Sequence, residues 1–503
     1  MENHHTYRLA AAAFAFAAIA AAALYLFIPA KMPILLFVCG MAGMACFYGM
    51  AAVSPLELEK ILQWAMYAFI ASTFLNQSFF RIHIGFFTIF LYRLLFIVVM
   101  ALFAAYVWKS RQLPQKWGPF PLKGITIFLL AWFLYGLISL LWAPSVLAGV
   151  KYMLLLGMGM MFVLLATVVM KDIAGTLRFY QIWLGMAAVL VGIGLANHFA
   201  HIQLPSSTLY GGPAYKLSYP TAVFTNQNDF AAFLSISFFL YLAAAKSGKI
   251  IYSKFAALVM SALCIYLIDL TESRASLLGV FAGLAFYGFI LLPARFKKWC
   301  AMIACFIVVF AVPLLTGRAA SVFQNLYAAA VQAGGPGPLP SNLERLRLLI
   351  NTFHNLADTY GFGVGAGNMP YYLKYHATLD THGVYEVHNW FAEILGNFGV
   401  FPALGYAGMY AYLLYSLYRL YPSARSREQK MMVEGCMAAL AAFLFASISP
   451  SSVSNLYFHW VLLGLAAAVV SVSKVAAREA RACQNVSLQG ESDGRRVEKA
   501  VSN

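Results

Sequence analysis

The chain has 503 residues, of which 62% are hydrophobic and only 10% are charged. This composition excludes a soluble globular protein, in which about a quarter of the residues are charged. The net charge of +16 would suit a nucleic-acid partner, but the basic residues lie in clusters between apolar runs, as membrane topology requires. We therefore expect an integral membrane protein surrounded by membrane lipids, with no nucleic-acid partner.

Apolar runs long enough to cross a bilayer recur along the whole chain. About fourteen runs reach the ~20 residues that a spanning helix needs. They lie near residues 9–30, 33–53, 61–78, 85–107, 124–143, 148–170, 178–198, 229–245, 252–270, 275–293, 299–316, 399–418, 431–449 and 455–473. The first run is too long for a signal-peptide core and is interpreted as a retained span. The expected fold is an all-α polytopic membrane protein with about 12–14 transmembrane helices.

The basic clusters predict the orientation of these spans. If the N-terminus is cytoplasmic and each span crosses once, most Lys and Arg residues fall on the cytoplasmic side, as the positive-inside rule requires. These are Arg8, Lys60, Lys109, Arg111, Lys116, Lys123, Lys171, Arg178, Lys246, Lys249, Lys254, Arg295, Lys297, Lys298, Arg419, Arg425, Arg427, Lys430 and the residues from Lys474 onward. Both termini are then cytoplasmic, and two long connections, 199–228 and 317–387, lie on the outer face.

The chain divides into four predicted regions. Residues 1–316 form the first part of the helix bundle, 317–387 an outer loop, 388–473 the last spans, and 474–503 a disordered cytoplasmic tail. The outer loop begins with a flexible linker that ends in the Gly- and Pro-rich residues 333–340. An amphipathic helix over 342–358 follows, because Ser341 and Glu344 match a capping box and apolar residues recur at helical spacing. The apolar positions are Leu346, Leu349, Ile350, Phe353 and Leu356.

No metal or cofactor site is evident in the sequence. None of the seven cysteines has CxxC spacing, and the chain has no HExxH or Asp-x-Asp motif and no His/Cys cluster. We therefore expect no disulfides, no thiolate metal site and no cofactor.

The polar stretch 361–405 interrupts this apolar chain. It opens with glycines at every second position from Gly361 to Gly367 and then carries three histidines and three carboxylates. These are His376, His382, His388, Asp380, Glu386 and Glu393. Groups that move protons beside a bilayer point to chemistry on a lipid-borne substrate. The glycine run lacks the Lys-Ser/Thr of a P-loop, so its glycines form either an anion-binding nest or a tight packing contact.

A family resemblance appears in this stretch. The run FGVGAGN, followed by His388-Asn389 and Gly399, resembles the signature of the O-antigen ligase and polymerase superfamily, and the similarity extends from about Thr225 to Gly405. One departure is Pro402, which stands where that family often has a further glycine. The resemblance implies a membrane glycosyltransferase that moves a glycan from a polyprenyl-diphosphate carrier to an acceptor hydroxyl, with inversion and without metal. The region of His388, Asn389 and Trp390 is similar to teichuronic-acid and capsule polymerases, which favours a polymerase.

Two other functions stay open at this point. A ligase would attach the glycan to a lipid or protein acceptor instead of extending a chain. A flippase for the same lipid-linked glycan belongs to another class, and it should carry ionisable residues near the bilayer midplane. Arg93 is the only charge expected well inside a span, and so the enzyme is favoured.

The candidate catalytic residue is His388, which titrates near neutrality and can accept the proton of an attacking hydroxyl. Arg274 in SRASLLG and Arg345 match arginines of the family and are expected to bind the diphosphate. Alternatively, Arg274 forms a salt bridge with Asp269 or Glu272. Arg347 is expected on a solvated or headgroup-contacting face.

The remaining candidates would assist substrate binding or replace His388 as the base. Lys216 can supply a point charge to the diphosphate where the family has an arginine near Tyr219. Asn228 in FTNQND, Asn389, Gly363 and Gly365 complete the predicted substrate-binding set, while His382 and Glu386 are reserve candidates for the base. Tyr210, Tyr215 and Tyr219 are interpreted as an interfacial aromatic belt rather than as sugar-stacking residues.

Overall fold

A computed structural model describes residues 54–75, 81–84, 87–110, 122–332, 340–450, 452 and 457–478. The predicted spans 9–30 and 33–53, residues 333–339 of the linker and most of the tail lie outside the described residues. The helices are α1 (Pro55–Thr73), α2 (Leu91–Ser110), α3 (Lys123–Ile138), α4 (Val146–Val169), α5 (Ile173–Ala200), α6 (Gln227–Ser247), α7 (Ile251–Leu270), α8 (Arg274–Leu291), α9 (Ala294–Gln332), α10 (Ser341–Asp358), α11 (Met369–Tyr375), α12 (Trp390–Phe398), α13 (Val400–Leu420), α14 (Arg427–Ala446) and α15 (Tyr457–Arg478).

The fold is all-α and polytopic, as the sequence predicted. Among the described residues, nine helices have the length and hydropathy of membrane spans: α2, α3 with the 3-10 turn that follows it, α4, α5, α6, α7, α8, α14 and α15. The predicted spans 61–78, 299–316 and 399–418 overlap α1, part of α9 and α13, but none of these three helices is among the nine. The span predicted over 85–107 begins later than expected. Its residues 87–90 form the strand Phe87–Phe90, which pairs antiparallel with Arg81–Ile84 before α2 begins at Leu91.

The chain divides into two compact units. One unit comprises Met1–Phe69 with Tyr92–Phe120, and within it the Tyr106 hydroxyl of α2 donates to Glu59 of α1 at 3.2 Å. The other comprises Ile70–Leu91 with Pro121–Asn503 and contains every candidate site residue.

Helices α6, α8 and α14 form the centre of the second unit, and α14 runs antiparallel to the other two. Near the start of α14, Glu434 accepts from Tyr287 late in α8 and from Lys246 at the end of α6, at 3.0 and 2.7 Å. Near its end, Ala446 packs against Gly279, early in α8. The beginnings of α6 and α8 therefore lie at the same end of the bundle as the residues that follow α14. We call this end the site end.

Glu434 corrects one expectation from the sequence. Arg93 was expected to be the only charge well inside a span, but Glu434 lies within the spanning helix α14 and is only 1% exposed. Besides Lys246 and Tyr287, it accepts a hydrogen bond from Tyr421 at 2.7 Å. A buried carboxylate is tolerated when it is paired and hydrogen-bonded in this way. Because Glu434 lies away from the site end and bonds to α6 and α8, we assign it a role in holding these helices to α14.

Helix α9 is longer than the predicted span within it. It continues through residue 316, where the outer loop was predicted to begin, and ends at Gln332. A helix of 39 residues is about 58 Å long, nearly twice the thickness of a hydrocarbon core. Residues 317–332 are therefore helical, and the prediction of a flexible linker is wrong for them.

Helix α10, predicted over 342–358, forms from Ser341 to Asp358. The predicted capping box is absent: Pro340 is the N-cap and no side chain caps the helix. The buried face also differs from the predicted apolar one. It is made by Arg347, Leu348, Ile350, Asn351, Thr352 and Asn355, while Phe353 is 54% exposed. The polar members can be buried because the chain folds back over them and supplies hydrogen-bond partners: Asn351 exchanges two hydrogen bonds with the backbone of Leu379, at 2.8 and 2.9 Å.

Candidate functional site

The glycine stretch is a packing element at the site end. Gly361, Gly363, Gly365 and Gly367 all have positive φ, between 67° and 95°. At Gly363, an added Cβ would lie 2.6 Å from the backbone nitrogen of Gly399. The neighbouring amides are already engaged, since Val364 and Gly365 donate to the carbonyls of Gly396 and Asn397 at 2.9 and 3.0 Å. These contacts favour the packing alternative over the anion nest, and a direct substrate contact of Gly363 or Gly365 stays a prediction.

Two buried asparagines fasten this stretch to the bundle. Asn368 accepts from the backbone of Ser145, the N-cap of α4, at 2.8 Å and donates to the carbonyl of Ala366 at 2.8 Å. Asn397 accepts from the amide of Met369 at 3.2 Å. Because a buried amide must find partners, these bonds fix the outer loop on the ends of α4 and α12.

Asn389 has a structural role that the sequence motif did not reveal. It is the N-cap of α12, and its side chain accepts from the amide of Ala392 at 3.0 Å. Glu393, one turn into that helix, is buried and accepts from Tyr152 of α4 and from Ser452, each at 2.9 Å. The start of α12, directly after His388, is thereby held by the N-cap bond of Asn389 and by the two hydrogen bonds of Glu393.

His388 and Arg345 meet at the segment that follows α14. Arg345 of α10 donates through Nη2 to the hydroxyl of Ser449 at 3.1 Å. Burial lowers the pKa of His388, and the positive charge of Arg345 lowers it further, whereas the backbone of Ser449 and Pro450 acts in the opposite direction. Among the described residues, the buried Nδ1 atom of His388 has no hydrogen-bond partner. The structure therefore places His388 near the guanidinium of Arg345, in surroundings that favour the neutral imidazole, and leaves its Nδ1 atom without a hydrogen-bond partner among the described residues.

Titratable groups surround this pair. Burial raises the pKa of Glu344, and His382 and Arg345 lower it in part, so Glu344 lies near both of them. His382 approaches the carboxylate of Asp380 at 3.9 Å. Burial also raises the pKa of Glu386, two residues before His388. Both reserve candidates for the base thus lie in the segment that carries His388.

Arg347 does not lie on a solvated or headgroup-contacting face, and that prediction is wrong. It is only 4% exposed, and it donates to the carbonyls of Ala330 and Asp380 at 2.7 and 2.9 Å. A buried guanidinium needs such acceptors because its five donors are otherwise left without partners. Arg347 therefore ties the end of α9 and the outer loop to α10.

Arg274 is exposed at the first residue of α8, at the site end. Within the described residues no ion pair joins it to Asp269 or Glu272, so the salt-bridge alternative is not observed. It stands five residues before Gly279, which packs on α14. That is about 7.5 Å of helix rise. The guanidinium is therefore available at the end of the bundle where His388 lies.

The connection between α5 and α6 also lies at the site end. Lys216 is exposed in a 3-10 turn, with its Nζ atom 5.8 Å from the ring centre of Tyr215. The Tyr219 hydroxyl donates to Glu272 at 3.1 Å, which joins this connection to the turn before Arg274. Asn228 is a half-buried residue in the first turn of α6.

The N-cap of α6 is Asn226, whose side chain accepts from the amide of Asp229 at 3.0 Å. The asparagines of the FTNQND run thus begin the helix, and a substrate contact of Asn228 stays a prediction.

Sequence reasoning missed Ser449 and an aromatic cluster beneath the site. Trp390 directly follows Asn389, and its ring centre lies 3.9 Å from that of His459 in α15. His459 in turn shares a 2.8 Å hydrogen bond with Tyr406 of α13. The Trp390 amide donates to the carbonyl of Ser447 at 3.0 Å. The only hint in the sequence was the serine-rich run from Ser447 to Ser452, which separates two apolar runs.

Comparison with known proteins agrees with this picture. A family model described as O-antigen ligase matches residues 256–407, which include Arg274, Arg345, the glycine stretch and His388. The chain is also 48% identical over 416 residues to the teichuronic acid biosynthesis protein TuaE of Bacillus subtilis (strain 168), covering 82% of this chain and 85% of that protein. The chain therefore belongs to the O-antigen ligase family of multi-pass membrane proteins that act in bacterial polysaccharide biosynthesis.

Proposed function

We propose that the protein is a polymerase that transfers a glycan from a polyprenyl-diphosphate carrier to a hydroxyl of an acceptor glycan, at the outer face of the cytoplasmic membrane. The observation that carries the proposal is the pairing of Arg345 with His388 around Ser449. It combines a cation for a leaving diphosphate with a base for an attacking hydroxyl. The relation to a teichuronic acid biosynthesis protein supports chain assembly over attachment to a lipid or protein.

The transfer is a direct displacement. The acceptor hydroxyl gives its proton to a ring nitrogen of His388 as its oxygen bonds to the anomeric carbon. The bond from that carbon to the diphosphate oxygen breaks, and the electron pair leaves with the polyprenyl diphosphate. Attack opposite the leaving group inverts the anomeric centre. Arg345, with Arg274 and Lys216 from the same end of the bundle, stabilises the negative charge of the departing diphosphate.

The charge of Arg345 couples the pKa of His388 to the binding of the donor. In the free protein, burial and Arg345 lower the pKa of His388 and so favour the neutral imidazole. A bound diphosphate offsets the charge of Arg345, and the pKa of His388 then rises. The histidine becomes a stronger base only when the donor is present. Donor binding therefore prepares the base for the proton it must accept.

Reconstitution of the purified protein with a polyprenyl-diphosphate oligosaccharide tests the proposal. The expected products are longer chains and free polyprenyl diphosphate. Transfer should continue when a chelator is present in excess, because it needs no metal. His388→Ala should lower turnover by about 10²–10⁴ while donor binding and melting temperature stay near wild type. A ligase would instead attach one glycan to a lipid or protein, and a flippase would move the donor without releasing the carrier. Either outcome overturns the polymerase.

A further inference from the structure

Helix α11 carries an exposed aromatic and basic patch on the outer loop. We define the α11 patch as Tyr371, Tyr372, Lys374, Tyr375 and His376. The ring centres of Tyr371 and Tyr375 are 4.8 Å apart, and those of Tyr372 and His376 are 5.1 Å apart. The Nζ atom of Lys374 lies 5.0 Å from the centre of the Tyr375 ring, which is 59% exposed. Large aromatic side chains are thus held together at the surface.

The opposite face of α11 holds the patch on the catalytic segment. Leu373 is buried in an apolar cluster with Val387, the residue before His388. The same cluster supports Tyr372 and Tyr385. Tyr375 raises the pKa of Lys374 through a side-chain hydrogen bond, and Tyr385 raises it more weakly, so both tyrosines lie near the ammonium group. Through Tyr385 and Val387, the patch is continuous with the segment that ends at His388.

No carboxylate in the described part of the chain forms an ion pair with the α11 patch. Within the described residues, no ion pair forms at Lys374, and tyrosines are the only side chains that act on its pKa. His376 is likewise exposed. An exposed ammonium beside tyrosine rings and hydroxyls offers stacking area, hydrogen-bond donors and acceptors, and a positive charge. An anionic glycan presents the matching groups, since its ring faces are apolar, its edges carry hydroxyls, and its carboxylates are negative.

A bilayer is the other surface that aromatic and basic residues contact. The position of α11 argues against it, because this helix packs on α10 and α12 and its inner face belongs to the apolar cluster of the outer loop. We propose that the α11 patch is a binding subsite for an anionic glycan, which holds the acceptor chain as it leaves His388. That the patch holds the acceptor chain rests on the proposed function, whereas glycan binding by the patch can be measured without turnover.

Binding is tested with the full-length protein in nanodiscs and two defined probes, hexagalacturonate as the acidic glycan and maltohexaose as the neutral one. Wild type should prefer hexagalacturonate. Lys374→Gln should weaken that binding about two- to fivefold, the range of an exposed ionic contact. Tyr375→Ala should weaken binding of both probes, and Tyr375→Phe should retain most of it. Equal binding of hexagalacturonate by wild type, Lys374→Gln and Tyr375→Ala would overturn the subsite.

A matched control is Lys474→Gln, which removes another lysine beside a tyrosine. The Nζ atom of Lys474 lies 4.9 Å from the ring centre of Tyr412, twelve residues into α13 from the site end. This variant should bind hexagalacturonate as wild type does. The membrane alternative is tested in phosphatidylcholine and phosphatidylglycerol nanodiscs. If Lys374→Gln changes only the lipid dependence of melting and not glycan binding, the patch contacts lipid and the inference is wrong.

Chain length separates this inference from the proposed function. In the polymerisation assay, Lys374→Gln and Tyr375→Ala should shorten the products more than they slow the first transfer. Full-length products from both variants would contradict a role in holding the chain, even if the polymerase is correct. If wild type transfers nothing yet binds hexagalacturonate through Lys374 and Tyr375, the proposed function fails and the patch remains an anionic-glycan site.

Discussion

Arg345 donates to the hydroxyl of Ser449 at 3.1 Å, and Ser449 is buried. The backbone of the same serine acts on His388, so a single residue after α14 contacts both members of the proposed catalytic pair. Two residues earlier, Ser447 accepts the Trp390 amide at the start of α12. The break between α14 and α15 thus positions the proposed leaving-group cation relative to the proposed base.

The first prediction concerns pH. Because burial and Arg345 lower the pKa of His388, the neutral base persists below the ordinary histidine pKa of about 6.5. The ratio kcat/KM reports the free protein, so it should rise with pH through a limb below that value. The kcat profile reports the donor complex, in which the charge of Arg345 is offset, and its limb should lie at higher pH.

Arg345→Gln provides the internal check on this pH argument. Without the guanidinium, the kcat/KM limb of the residual activity should move to higher pH, toward the kcat limb. Ser449→Ala should cause a smaller shift in the same direction, because Arg345 loses its anchor. Identical limbs in wild type and Arg345→Gln would show that the titrating group is not His388 beside Arg345.

The second prediction separates the two arginines of α10. Arg347→Ala removes two hydrogen bonds to the carbonyls of Ala330 and Asp380. Hydrogen bonds to charged groups contribute about 1.5–3 kcal/mol each. The variant should therefore melt several degrees lower and expose the outer loop to protease. Arg345→Ala should lower turnover with little change in melting. If Arg347→Ala unfolds at the same temperature as wild type, the two buried hydrogen bonds of Arg347 do not stabilise the outer loop.

The third prediction concerns the glycine stretch. Gly363→Ala places a Cβ against the backbone of Gly399, at a φ of 81° that L-residues rarely adopt. We expect destabilisation by more than about 1 kcal/mol, the cost of side-chain strain at positive φ. Gly408→Ala is the matched control, because nothing lies within 4 Å of an added Cβ in α13. There alanine should be neutral or slightly stabilising. Equal melting temperatures for the two variants would contradict a packing role for Gly363.

The sequence predicted those features that depend on local pattern. Hydropathy located the spans, and helical spacing located α10 to within one residue at its start. The features that it missed depend on contacts between distant segments. Nothing near Arg347 in the sequence shows that Ala330 and Asp380 will supply its acceptors. Likewise, the link between Arg345 and Ser449 joins residues 104 positions apart, and only the folded chain brings α10 to the segment that follows α14.

The fourth prediction tests the orientation of the membrane bundle. Tyr210 is 60% exposed in the connection at the site end, and Lys249 is 72% exposed beyond the end of α6. With the site end outside, an impermeant thiol reagent should label Tyr210→Cys in intact cells. Lys249→Cys should react only after permeabilisation. The parent protein, with its native cysteines, sets the background in both conditions. The reverse pattern would place the site end in the cytoplasm and remove the outer-face mechanism.

The last prediction asks whether Arg274 binds the diphosphate as a fork. Its guanidinium is exposed at the start of α8, and Arg274→Lys keeps the charge but loses the two parallel donors. If the contact is bidentate, the lost charge-assisted hydrogen bond should lower kcat/KM for the lipid-linked donor about 10- to 100-fold. Arg295→Lys is the matched control, because Arg295 lies beyond the opposite end of α8 and stacks on Phe296 at 4.8 Å. Melting temperatures of both variants should equal that of wild type. If the two variants have the same kcat/KM, Arg274 acts only as a distant charge, and the diphosphate must be held by Arg345 and Lys216.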